Sequence, residues 1–84
     1  MSKRTLRLNK SKPAEPLREV LAINIRQLRL EMGISQEELA FRCELDRTYI
    51  SAVERCVWNV SLRNIEKIAT ALNTEPWCLL VPPK

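Results

Sequence analysis

Apolar side chains return every three or four residues across Leu17, Val20, Leu21, Ile25, Leu28 and Met32, the spacing of one α-helix face. Gly33 follows at once and can take the left-handed conformation that closes a helix. Ser35 with Glu38 three residues later is the reciprocal pairing of a capping box. It predicts a short helix over 35–43 with Leu39, Ala40 and Cys43 inward. Asp46 is the next N-cap candidate, opening a helix over 47–55 with Ile50 and Val53 inward. Ser61 begins a fourth, in which Leu62, Ile65, Ile68, Ala69 and Leu72 form one stripe and Asn73 suits the C-terminal cap. Thr74, Glu75 and Pro76 mark a short fifth helix ending at Pro82. No segment alternates with period two for long enough to suggest a strand. Five helices with short connections predict an all-α domain over 17–84.

Charge separates the first residues from the rest. The chain has 84 residues and a formal net charge of +4, yet Lys3, Arg4, Arg7, Lys10 and Lys12 stand together without an acidic neighbour. The remaining 72 residues carry nine basic and ten acidic groups, a net of −1. Pro13 and Pro16 close this stretch, because each disfavours helix in the residue before it. Residues 1–16 therefore read as a basic arm.

Composition narrows the chemistry. There is no histidine, so the commonest general base and metal ligand is missing. One glycine excludes a glycine-rich phosphate loop, and no paired-carboxylate constellation points to an enzyme. Cys43, Cys56 and Cys78 are odd in number and lack a CxxC pair, which argues for reduced, buried thiols rather than disulfides or a zinc site. No apolar leader and no stretch of about 20 apolar residues is present. These features predict a cytoplasmic binding module with no cofactor, no metal, no membrane partner and no small-molecule effector.

The stretch Gln36 to Arg55 carries the function. Two short helices are joined only by Glu44, Leu45 and the cap Asp46, a connection that sets them at a steep angle around a shared apolar centre. Ala40 lets them approach, and Leu39, Leu45, Ile50 and Val53 fill the space between. That spacing matches a DNA-binding helix-turn-helix, whose second helix enters the major groove. With Ile50 and Val53 inward, the 100° step places Thr48, Ser51, Ala52 and Arg55 outward, with Arg47 leading. Arg47 has the bidentate fork for guanine O6 and N7, Thr48 offers a hydroxyl and a methyl, and Ser51 and Ala52 are small enough for close approach. Phosphates are expected at Ser35 and Gln36, where a helix N-terminus favours an anion, and at Tyr49, Arg55 and Asn59, with weaker signals at Ser61 and Arg63.

From Leu21 to Leu80 the chain resembles the lambda-repressor-like, Xre and Cro type, helix-turn-helix family, on SQEELAFRCELDRTYISAVERCVWNVSLRNIEKIATALNTEPWCLL. Within it, RTYIS, VER, NVSL and NIEKIATAL are most similar to restriction–modification controller proteins and prophage regulators. The resemblance implies base contacts from Arg47 and Thr48 with Ser51 and Ala52, and phosphate contacts from Gln36, Tyr49 and Asn59. It also implies an ion pair between Arg29 and Glu54 that braces the reading helix. Three positions depart from the family pattern. Glu44 and Cys56 stand where glycine is usual, and Trp58 replaces a common basic residue.

The same resemblance implies a two-fold dimer on operator DNA. Ile23 lies off its helix's apolar stripe and, with Leu79 and Val81, forms the expected interface, while Trp77 and Leu80 are expected to complete the core. A repressor or autoregulating controller is the function expected. The alternative is an antitoxin-type DNA-binding protein whose second surface holds a partner protein.

Overall fold

The computed structural model describes residues 16–83; the basic stretch up to residue 15 lies outside the described residues. Four α-helices follow one another: α1 (Leu17–Glu31), α2 (Gln36–Cys43), α3 (Arg47–Glu54) and α4 (Leu62–Ala71). The fifth expected element, Pro76–Leu80, is a 3₁₀ helix rather than an α-helix. Among the described residues there is no strand, so the fold is all-helical.

Side chains start three of the helices. Ser35 Oγ accepts from the Glu38 N–H at 2.9 Å, Asp46 Oδ1 from the Thr48 N–H at 3.0 Å, and Ser61 Oγ from the Asn64 N–H at 3.1 Å. Each satisfies a donor that the first turn leaves without an intrahelical partner. The return half of the expected capping box is absent, since the Glu38 carboxylate accepts from Arg42 Nε at 2.9 Å instead.

All four helices stop in the same way. Gly33, Glu44, Cys56 and Asn73 have φ of 72°, 60°, 62° and 58°, and the residue after each donates its N–H five residues back. These bonds run from Ile34 to Arg29, Leu45 to Ala40, Val57 to Ala52 and Thr74 to Ala69, at 2.9–3.2 Å. This is the Schellman closure, carried at three ends by residues that have a Cβ and at a cost of about 1–2 kcal/mol each.

The core joins Leu21 and Ile25 of α1, Leu39, Ala40 and Cys43 of α2, Ile50 and Val53 of α3, Ile65, Ile68, Ala69 and Leu72 of α4, and Leu79. Leu17 and Leu62 were expected inside but are 57% and 75% exposed. Each is the first residue of its helix and projects past the part that neighbouring helices cover. Cys43 is buried, but Cys56 is half-buried and Cys78 exposed, so the expectation of buried thiols holds for Cys43 alone; all three are free. No helix among the described residues is long and apolar enough to cross a membrane.

The chain end differs most from its sequence reading. Leu79, expected at an interface, is fully buried in the core, whereas Trp77, expected in the core, is 65% exposed. Leu80 is half-buried against the core. A 3₁₀ helix advances 120° per residue rather than 100°, which changes the residue that faces inward. Asn24 fixes that phase. Its Nδ2 donates one hydrogen to the Leu79 carbonyl and the other to the Val81 carbonyl, both at 2.8 Å.

Candidate nucleic-acid interface

The α2–α3 unit is braced from α1. Arg29 Nε donates to Glu54 Oε2 at 2.6 Å, its Nη2 to Glu54 Oε1 at 3.0 Å, and its Nη1 to the Ile34 carbonyl at 2.9 Å. The two side chains are only 10% and 4% exposed. The hydrogen bond to Glu54 raises the Arg29 pKa above its ordinary value; burial opposes this and the carboxylate charge adds to it. A carboxylate at the last residue of α3 is thereby tied to the seam between α1 and α2.

Outward from this brace, Arg47, Thr48 and Arg55 are exposed and Ser51 is half-exposed. Arg55 Nε donates to Ser51 Oγ at a long 3.5 Å, so these two share one side of the helix. Ala52 does not join them. It is 2% exposed and belongs with Ile50 and Val53 to the buried residues of α3. The assignment of Ala52 to the base-reading face is therefore corrected. The buried side of α3 is wider than Ile50 and Val53 alone define.

Beside the leading end of α3 lies an open polar cleft lined by Arg29, Ser35, Gln36, Glu37 and Arg47. Gln36 Nε2 donates to Glu54 Oε1 at 3.0 Å, which sets the side-chain amide at the start of α2 against the brace. The Ser35 hydroxyl is engaged as a cap, leaving the first N–H groups of α2 as the anion-facing donors. The described residues hold no cluster of three side chains fit for a metal ion.

The opposite flank is built around Tyr49. Its hydroxyl accepts from Asn64 Nδ2 at 3.0 Å, and its ring lies 5.8 Å from that of Trp58 with a 47° tilt. Asn59 is exposed, and its Oδ1 accepts from Arg18 Nη1 at 3.4 Å. Ser61 serves as the cap of α4, and Arg63 is exposed.

Sequence reading missed three supporting residues. Asn24 carried a signal, being a polar residue three positions after Leu21 on the apolar stripe. Arg18 and Asn64 carried none, since their partners Asn59 and Tyr49 are 41 and 15 residues away.

Comparison with known proteins sharpens the geometry. The family model for the helix-turn-helix (HTH_3) matches residues 25–76. A hypothetical transcription factor from Neisseria meningitidis serogroup B is 57% identical over 70 residues, and the match spans 83% of this chain and 66% of that one, just under two thirds of its length. The crystal structure of a hypothetical transcription factor from Neisseria aligns at a TM-score of 0.79, with 56% identity over 84% of this chain and 87% of the other. Control protein C.BamHI of Bacillus amyloliquefaciens is 52% identical over 65 residues, covering 76% of this chain and 80% of its own. The restriction–modification controller C.Esp1396I, solved as a tetramer with its natural 35 base-pair operator, aligns at a TM-score of 0.71 and 35% identity, over 79% of this chain and 87% of that one.

Proposed function

Because the chain belongs to the HTH_3 helix-turn-helix family, we propose that it is a transcription regulator that binds operator DNA, of the control-protein type to which it is similar. The observation that carries this reading is the exposure of Arg47 and Thr48 at the capped start of α3, on a helix held by the Arg29–Glu54 brace. In this reading α3 enters the major groove, and Arg47, Thr48 and Ser51 read base edges. Ser35, Gln36, Tyr49, Arg55 and Asn59 hold phosphates on either side.

One such domain covers a single half-site, so the regulator acts as a homodimer. Ile23 and Val81 are 51% and 58% exposed, and the Asn24 bond to the Val81 carbonyl ties the segment of Val81 to the residue next to Ile23. They form the association surface; Leu79, buried, has no part in it. The regulator represses, or controls its own promoter. That a related controller is solved with operator DNA supports the assignment of the ligand class.

Footprinting on a duplex selected from a random-sequence pool tests the reading. Wild-type protein is expected to protect a two-fold site at 0.15 M salt, and Arg47→Ala to lose that protection. Specific protection that survives Arg47→Ala would remove α3 as the reading helix.

A further inference from the structure

We propose that Trp58 is a DNA-contacting residue, packing its indole against the sugar–phosphate backbone at the trailing flank of α3. The proposal rests on the reading of α3 as the groove-entering helix and extends it to a residue outside that helix. Three observations converge on it. Trp58 lies in the short connection between α3 and α4, four residues past the end of α3, and is 44% exposed. Its ring is not loose, because it lies 5.8 Å from the ring of Tyr49 at a 47° tilt, while the Tyr49 hydroxyl accepts from Asn64. Its neighbour Asn59 is held from α1 by Arg18. A large amphipathic side chain is thus set in place before any ligand arrives, so little side-chain freedom remains to be lost on binding.

The chemistry suits a backbone contact. An indole ring offers an apolar face for a deoxyribose and a single N–H donor for a phosphate oxygen. It carries no charge, so it releases no counterion. An arginine in its place would add close to one unit to the dependence of affinity on salt. Tyr49 is the bridge between the two surfaces. It belongs to α3 on one side, and on the other it supports Trp58.

The test uses the full chain carrying Trp77→Phe, so that Trp58 is the only indole, and a 30 base-pair duplex selected from a random pool. Addition of the duplex is expected to shift and quench Trp58 emission with the same stoichiometry as binding measured by anisotropy of labelled DNA. Trp58→Ala is expected to weaken binding about 5- to 20-fold with an unchanged slope of log K against log salt. Trp58→Arg is expected to steepen that slope by about 0.9. Trp58→Phe keeps an aromatic ring beside Tyr49 but removes the N–H and part of the apolar face, so its loss of affinity is expected to be smaller than that of Trp58→Ala. Full binding with unchanged Trp58 emission, or Trp58→Ala binding as tightly as the parent, overturns the proposal while leaving the reading helix intact. Failure of the parent to bind any selected duplex removes the underlying reading as well.

Discussion

Arg29 and Glu54 meet through two hydrogen bonds, at 2.6 and 3.0 Å, in a seam where both side chains are nearly removed from water. Neither group has an alternative solvent shell, so deleting one strands the other. Glu54→Ala is expected to cost about 3 kcal/mol, a fall in Tm of more than about 10 °C for a domain of this size. Thermal denaturation followed by circular dichroism measures it, and an unchanged Tm would show that the pair contributes nothing.

Ala52 allows the site's geometry to be tested without DNA. A residue on an open reading face accepts a longer side chain at little cost. A residue at 2% exposure does not, and overpacking costs about 1–3 kcal/mol. Ala52→Leu is expected to lower the unfolding free energy by that margin, read as a lower urea midpoint with an unchanged m-value. Ser51→Leu, on the half-exposed side, is expected to leave the unfolding free energy within about 0.5 kcal/mol of wild type.

Glu44 holds φ at 60° with no gain from its side chain that would offset the strain. Glu44→Gly relieves about 1–2 kcal/mol in the folded state and loses about 0.5–1 kcal/mol through the freer unfolded chain. A net stabilisation of about 0.5–1 kcal/mol is expected by urea titration. A destabilised variant would mean that the carboxylate contributes more than the strain costs.

Burial pushes the Cys43 thiol from 9.0 up to about 11, with Lys67 opposing the shift. Because the folded-state value is the higher one, the contribution is complete below pH 9 and is lost as pH rises towards 11. Wild-type stability is expected to fall more steeply than that of Cys43→Ala between pH 9 and 11, and parallel curves would refute the assignment. In the native protein, iodoacetamide should reach exposed Cys78 first and Cys43 only on unfolding.

Association is expected to depend on Ile23 and Val81. Equilibrium sedimentation at tens of micromolar should show a dimer for the wild type and a monomer for Ile23→Glu. A monomeric wild type at that concentration would sink the dimer.

Much of this was legible in the chain because helix signals are local. Ser35, Asp46 and Ser61 were legible as helix starts from their neighbours alone, and Gly33 as the left-handed stop of the first helix. What was not legible depends on distant contacts or on a change of helix type. Ala52 was misplaced because the width of the buried side of α3 depends on what packs against it, which nothing in α3 announces. Leu79 and Trp77 exchanged roles because five residues beginning with proline gave no sign of 3₁₀ rather than α geometry. The side-chain networks from Arg18 to Asn59 and from Tyr49 to Asn64 join segments whose proximity only the fold decides.

Asn24 spends both amide hydrogens on the carbonyls of Leu79 and Val81, and thereby ties α1 to the 3₁₀ helix and the residue after it. In the proposed association surface Ile23 stands next to that anchor and Val81 is one of the residues it holds. Removing the amide would therefore loosen the pairing surface while leaving α3 and its Arg29–Glu54 brace as they are, which separates control of assembly from control of base reading.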